Sequence, residues 1–330
     1  MYEGRSWQAA EFGAPKDVMR VVETTWSEPR EGELLVRVRA TGVGYADVLQ
    51  VLGHYPGVTP PVVPGLEVSG EVVAVAPGSE FAVGERVMGI TPAALAEPYG
   101  GYSDYAYIYE GRTLRIPAAL SFEEAAGFMI PFRTAHQALA ERIRMEPGEV
   151  LAILGAGGAV GSASIQLGKA LGATVIAIAG GEEKLKFCAA AGADHGVNHQ
   201  EQDVAAELKR LTGGAGVDVL LDPVGGDLAT RALQGVGVGG RVPVAGFASG
   251  SFVTVDAADL LMRNYAVVGV YGGGTTPEQD TAANRRLIGL VEEGAIRTPV
   301  GTVSVFDEVP DMLSRLTSGG PAGKHIIRVS

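Results

Sequence analysis

The chain has 330 residues, enough for about two domains at roughly 150 residues each, and 46% of them are hydrophobic, which supplies a full core and excludes a disordered chain. Lys and Arg number 26 against 38 Asp and Glu, a net charge of −12, and such an acidic surface repels phosphate backbones and anionic lipid, so nucleic acid and membrane partners are disfavoured. One cysteine, Cys188, excludes both an internal disulfide and a thiolate zinc cluster.

Residues 1–130 read as β-rich, with short apolar runs between Gly and Pro punctuation: Glu33–Ala40, Glu67–Val75 and Glu85–Ile90. Leu35, Arg37 and Arg39 alternate with Val36, Val38 and Ala40, the period of a half-exposed strand. Val58–Gly65 holds Pro60, Pro61 and Pro64, which remove donors and fix φ, so no regular element is predicted there. From about residue 131 the texture changes to alternating strands and helices. Val150–Leu154, Thr174–Ala179, Val217–Asp222, Arg241–Phe247 and Ala266–Val270 are apolar strand-length runs. Helical spacing covers Ala159–Leu171, stopped by Gly172, and Glu182–Ala191, stopped by Gly192, with further helices near Asp203–Leu211, Leu228–Gln234 and Asp256–Met262. Repeated βα units with continuously apolar strands predict a parallel sheet covered on both faces. A long helix, Pro277–Glu293, precedes β-like segments at Val300–Phe306 and His325–Val329. The expected organisation is a first domain of residues 1–130 completed by 273–330, around a central domain of 131–272. No apolar run approaches the roughly 18 residues of a membrane span and Met1–Gln8 is polar, so a cytoplasmic protein is expected.

The strand Val150–Leu154 runs into Gly155-Ala156-Gly157-Gly158-Ala159-Val160-Gly161 and then a helix. Glycines let a backbone come close to a pyrophosphate, and the helix N-terminus offers free N–H groups and a positive dipole end. A lone glycine-rich run is weak evidence; between a buried strand and a helix it points to a dinucleotide. An NAD site places Asp or Glu near the tip of the second strand to hold the ribose 2′-hydroxyl. That tip reads Ala179-Gly180-Gly181, and Glu182 and Glu183 fall in the next helical turn, where acids suit the dipole. Lys184 is close by and suits a 2′-phosphate, so NADPH is expected over NADH.

The ordered motifs resemble the zinc-independent quinone oxidoreductases, the zeta-crystallin-like family of the medium-chain dehydrogenase/reductase superfamily. The resemblance runs through Gly42-Val43-Gly44-Tyr45-Ala46-Asp47, Gly53-His54-Tyr55-Pro56, Pro64-Gly65-Leu66-Glu67, Gly100-Gly101-Tyr102-Ser103-Asp104-Tyr105, Asp222-Pro223-Val224-Gly225-Gly226 and Gly246-Phe247-Ala248-Ser249-Gly250, covering nearly the whole chain. It implies an α/β fold: a chaperonin-10-like β-rich catalytic domain built from both chain ends, plus a Rossmann doubly wound parallel sheet, with the active site in the cleft between them and a homodimer or homotetramer as the assembly. It also implies that Gly158, Ala159 and Val160 hold the pyrophosphate, that Gly180 and Lys184 hold the 2′-phosphate, and that Thr134, Phe247 and Ser249 line the nicotinamide side. Two positions depart from the family: its Asn is Gly44 here, and a Tyr that meets the 2′-phosphate is His199, an imidazole able to hydrogen-bond or carry charge.

The zinc alcohol dehydrogenases of the superfamily carry an early Cys and a later Gly-His-Glu, where this chain has Tyr45-Ala46-Asp47 and Gly65-Leu66-Glu67. Leucine cannot ligate zinc, and the histidines His54, His136, His195, His199 and His325 lack ligand spacing, so no metal is expected and an activated acceptor, a quinone or conjugated enone, suits the chemistry. Tyr55 and Asp47 are the candidate proton donors; the alternatives are that Tyr55 only packs and that Asp47 caps the following turn. Tyr45 and Tyr271 are candidate pocket walls. Cys188 reads as a small buried apolar residue. Two other functions stay open: an enoyl-thioester or enone reductase on the same fold, and a non-catalytic NADPH-binding structural protein.

Overall fold

The computed structural model describes residues 1–95, 99–317 and 319–329. The first stretch forms strands β1 (Tyr2–Ala9), β2 (Met19–Trp26), β3 (Glu33–Val43), β4 (Glu67–Val75), β5 (Arg86–Ile90), β6 (Tyr105–Tyr109) and β7 (Thr113–Arg115). Its helices are α1 (Pro15–Val18), α2 (Tyr45–Leu52) and α3 (Phe122–Ala126), followed by α4 (Met129–His136). The middle stretch alternates β8 (Val150–Leu154), α5 (Ala159–Ala170), β9 (Thr174–Ala179), α6 (Glu182–Ala190), β10 (His195–Asn198), α7 (Val204–Leu211), β11 (Val217–Leu221), α8 (Gly226–Ala232), β12 (Val236–Val244), α9 (Ala257–Arg263) and β13 (Ala266–Gly269). Then come α10 (Pro277–Glu292), β14 (Val300–Val305), α11 (Val309–Thr317) and β15 (Lys324–Arg328).

The chain divides into two compact units, Met1–Ile130 with Val300–Ser330, and Pro131–Pro299. In the second unit the strand order is β10-β9-β8-β11-β12-β13, every neighbouring pair parallel. Counted within this sheet that is the doubly wound order 3-2-1-4-5-6, whose direction reverses between its first and fourth strands and opens a crevice at their carboxyl ends. Those strands are β8 and β11, and their core is formed by Ala152, Leu154, Ile176, Ile178, Leu220 and Val242. The α/β fold class expected from the sequence is therefore present.

The first unit is built on a mostly antiparallel sheet of order β14-β15-β3-β4-β5-β7, with β6 also on β3. Tail strand β15 lies between β14 and β3, and the Trp7 indole donates to the Phe306 carbonyl at 2.9 Å, so both chain ends share one core. The return to this unit begins at Val300, not at 273 as the sequence suggested. The intervening segment stays with the second unit: Arg133 pairs with Asp280 of α10 at 2.5 Å, and Gln166 and Arg297 exchange backbone and amide hydrogen bonds at 2.7 and 2.9 Å. The alternation predicted on β3 is also modified, because Leu35 is buried on the face opposite Leu34 and Val36, against Trp26 and Ala74.

A buried charge set fixes the first unit from within. Lys324 of β15 pairs with Glu67 of β4 at 2.6 Å, with both side chains 3% exposed or less. The other Glu67 carboxylate oxygen accepts from the Ile130 N–H at 2.9 Å. A Cβ at Gly42 would lie 2.7 Å from Lys324 Cε and 2.9 Å from Glu67 Oε1, so only glycine leaves room for the pair. Asp47, at the third position of α2, sits beside them. One oxygen accepts from Gly44 N–H at 2.7 Å, the other from Gly65 and Leu66 N–H at 2.9 and 3.2 Å. Burial pushes its carboxyl up from 3.8 to about 6, against the pull of those donors and of Lys324.

Removing one partner of a buried pair leaves an uncompensated charge, so Lys324→Met should lower the unfolding free energy by about 3–5 kcal/mol in denaturant titration, and the double variant Lys324→Met/Glu67→Gln should lose much less. Because the folded carboxyl of Asp47 lies above its unfolded value, its protonation favours the native state: that contribution is complete below 3.8 and is lost as pH rises through about 6. Denaturation midpoints measured across that window should show this gain on acidification in the wild type and not in Asp47→Asn.

Candidate nucleotide site

At the carboxyl edge of the second unit's sheet, β8 ends in the glycine run and α5 begins at Ala159. The turn is close-packed: a Cβ at Gly161 would lie 2.4 Å from the Gly155 carbonyl oxygen and 2.6 Å from Ala156 Cα. Gly158 occupies the N-cap of α5 and supplies no capping side chain, and the first turn has no acid. The free N–H groups and positive dipole end at Ala159 and Val160 are thus left for an anion from outside the helix. The opposite arrangement holds one strand over, where α6 carries Glu182 and Glu183 in its first turn, as predicted.

Across the switch point from the glycine turn lies the end of β11. Asp222 is fully buried, and one of its oxygens accepts from Val224 and Gly225 N–H at 2.9 and 2.7 Å, folding the chain into a tight turn. Burial pushes its carboxyl above the usual range. The turn brings Val224 under Gly155, where an added Cβ would meet Val224 Cγ2 at 2.8 Å. The following loop is hung on the same turn, with Ser249 N–H donating to the Val224 carbonyl at 2.9 Å. Phe247 stacks obliquely on Phe252, ring centroids 4.6 Å apart. Thr134 is half-buried on α4.

The tip of β9 is held by Asn198, whose side-chain oxygen accepts from Gly181 N–H at 3.1 Å and Gln200 N–H at 3.2 Å. A Cβ at Gly180 would lie 3.1 Å from His199 Nε2. The Lys184 side chain runs over the glycine turn, with its Cβ 3.2 Å and Cδ 3.4 Å from a Cβ placed at Gly157. The structure therefore gathers Gly158, Ala159, Val160, Gly180, Lys184 and His199 along one sheet edge, with Phe247 and Ser249 on the loop after β12. Sequence reading missed Asn198, because the four-residue β10 carries no periodic signal, and quoted Asp222 within a motif without giving it a role.

The two proton-donor candidates lie in the first unit at opposite ends of α2. Asp47 is 1% exposed, and both its oxygens already accept backbone hydrogen bonds. These bonds fix the α2 N-terminus to the Gly65–Leu66 segment, as the capping alternative expects, and Asp47 lies beside the fully buried Tyr102. Tyr55 is half-buried beyond the α2 C-cap Gly53, its N–H donating to the Leu49 carbonyl at 3.1 Å. Tyr45 is half-buried, whereas Tyr271 is 70% exposed. Cys188 is buried, and its thiol is pushed up to about 11 by that burial, consistent with an inert apolar role. Among the described residues no group of three or more His, Cys, Asp or Glu side chains is placed to hold a metal ion, and no helix is long and apolar enough to cross a membrane.

Family models match two parts of the chain: the alcohol dehydrogenase GroES-like domain over residues 30–118, and the zinc-binding dehydrogenase over residues 159–288. The quinone oxidoreductase-like protein 2 of Bos taurus is 31% identical over 330 residues, covering 98% of this chain and 93% of its own. Among solved structures, the quinone oxidoreductase of Pseudomonas syringae superposes with a TM-score of 0.90 at 27% identity, covering 98% of this chain and 99% of its own. That of Escherichia coli, solved in complex with NADPH, gives 0.89 at 29% identity, with coverage of 98% and 99%. The chain belongs to the quinone oxidoreductase-like proteins of the medium-chain dehydrogenase/reductase superfamily.

Proposed function

We propose that this protein is an NADPH-dependent reductase that delivers hydride to quinones or related conjugated carbonyls without a metal ion, the second unit serving as its cofactor-binding domain and the first as its catalytic domain. The observation that carries the reading is the carboxylate-free tip at Gly180–Gly181, where Lys184 and His199 stand in place of the acid that would hold a ribose 2′-hydroxyl. The NADPH bound by the E. coli relative supports the same cofactor.

The residues present fit that group. The uncapped first turn of α5, at Gly158, Ala159 and Val160, would hold the pyrophosphate; Gly180, Lys184 and His199 the 2′-phosphate; Thr134, Phe247 and Ser249 the nicotinamide side. When bound, NADPH supplies the hydride. The protein's own part is to orient the cofactor by backbone N–H groups on a rigid sheet edge, and to provide a proton for the reduced acceptor. Tyr55 is the proposed donor, since a phenol can both orient a carbonyl and give up a proton. Zinc does not fit the donor set: Leu66 offers no ligating atom, Asp47 is engaged by three backbone donors and Glu67 by Lys324 and Ile130. A cytoplasmic homodimer or homotetramer completes the proposal.

The test is NADPH oxidation by purified protein, compared with NADH, with a small quinone and then a trans-2-enoyl thioester as acceptor. Quinone-dependent turnover with NADPH preferred is expected. Turnover with the thioester alone would move the protein to the enoyl reductases. NADPH binding with no turnover on either would favour a binding role, and NADH preference would overturn the cofactor assignment. Tyr55→Phe should lower kcat by about 100-fold or more while leaving NADPH affinity unchanged, the size expected for loss of a general acid.

A further inference from the structure

We propose that His199, flanked by Lys184 and Arg231, forms a pH-gated clamp for the cofactor's 2′-phosphate, so that the preference for NADPH over NADH strengthens as pH falls through the imidazole range. The inference rests on the cofactor reading above and adds to it a third cation and a regulatory variable.

The clamp draws on separate elements. Lys184 comes from α6 and lies over the glycine turn. His199 follows β10, its Nε2 facing the Gly180 tip at 3.1 Å from where a Cβ would stand. Arg231 comes from the last turn of α8, and its side chain folds back toward the helix start, with Nε 3.4 Å from the Asp227 carbonyl. Lys184 and Arg231, both positive, weigh against protonation of His199. The nearby carboxylates are engaged or exposed: Glu182 pairs with Lys186 at 2.9 Å, Asp203 accepts from Ala206 N–H at 2.9 Å, and Glu183, Glu201 and Asp227 are exposed. In a chain of net charge −12 this places two cationic side chains around the imidazole.

That setting decides the sign of the gate. Partial burial, and then the two neighbouring cations, lower the imidazole below its usual value, so His199 is neutral near pH 7 in the free protein. A phosphate placed among the three side chains supplies the missing negative charge and favours the imidazolium. Binding therefore takes up a proton, and affinity rises as pH falls until the free protein is itself protonated. Lys184 and Arg231 provide the pH-independent part of the affinity. NADH, which lacks the phosphate, makes no use of the gate. The chemistry separates His199 from a tyrosine at this position, which would hydrogen-bond the phosphate with the same strength across this range.

The experiment measures NADPH and NADH dissociation constants, by calorimetry or by the change in nicotinamide fluorescence, at steps between about pH 8.5 and about pH 6. The variants are His199→Gln, His199→Lys and Arg231→Ala. In the wild type the ratio of NADH to NADPH dissociation constants should rise by about tenfold for each unit by which the phosphate raises the imidazole pKa. His199→Gln should remove that rise, and His199→Lys should hold the ratio high and level. The 2′-phosphate takes up its own proton near pH 6, which affects all variants alike, so the difference between wild type and His199→Gln isolates the imidazole. Arg231→Ala should weaken NADPH binding at every pH and move the rise to higher pH, because removing a neighbouring cation lets the imidazole protonate more easily. The same pH profile in wild type and His199→Gln, with NADPH still preferred, would overturn the gate and leave the cofactor assignment standing. A ratio near one at every pH would overturn both.

Discussion

The Lys324–Glu67 ion pair is the constraint on which the first unit depends. It joins the strand near the chain's C-terminus to a strand formed before residue 76, and Glu67 also anchors the Ile130 N–H where that unit ends. Charges removed from water in this way are costly unless paired and hydrogen-bonded, and here each has a partner. The pair sets demands on its neighbours. Gly42 must lack a side chain, and Asp47, the next carboxylate inward, must be satisfied by backbone N–H groups and by its nearness to the same ammonium. Asp47 in turn ties α2 to Gly65 and Leu66, so the segment that carries Tyr55 at its far end is anchored through this buried electrostatic set.

The second unit solves a different problem. A parallel sheet buried on both faces ends its strands at one edge, and the reversal of strand order between β8 and β11 leaves a crevice there. The glycine turn closes tightly enough that Gly161 touches Gly155 and Ala156, which brings the start of α5 to the crevice with its N–H groups uncapped. The Asp222 turn forms the other wall and carries the loop of Phe247 and Ser249. In the proposed reading, a negatively charged protein accepts an anionic dinucleotide because the local field there is made by a helix terminus and by Lys184 and Arg231, with His199 joining them once protonated, not by the net charge.

Much of this was legible along the chain because its causes are local. Strand-length apolar runs, glycine stops and acids in first turns located β8, β9, α5 and α6 to within a residue or so. The glycine spacing announced the tight turn ahead of α5, and the missing acid after Ala179 was read directly from adjacent residues. Less was legible where periodicity was short or broken. β10 has four residues, and β1 and β2 carry exposed polar faces on a two-stranded ribbon, so neither stood out. Leu35 broke its predicted alternation because the second face of β3 is covered by Trp26 and Ala74, side chains of other strands.

By itself, the amino-acid sequence determined the βα repeat, the glycine turn ahead of a helix, the absence of a thiolate or histidine ligand at the zinc positions, and the residues at the strand tips, since each follows from the conformational preferences or chemistry of adjacent residues. Tertiary structure alone decided the roles that depend on partners far along the chain. Asp47 became a structural anchor because Gly65, Leu66 and Lys324 converge on it. The tail joined the first unit only from Val300, because α10 is held by Arg133 and the segment after it by Gln166. The electrostatic influence of Arg231 on His199 joins two elements some thirty residues apart. Burial and electrostatic pairing are properties of three-dimensional neighbourhoods, and a residue's local sequence does not contain them.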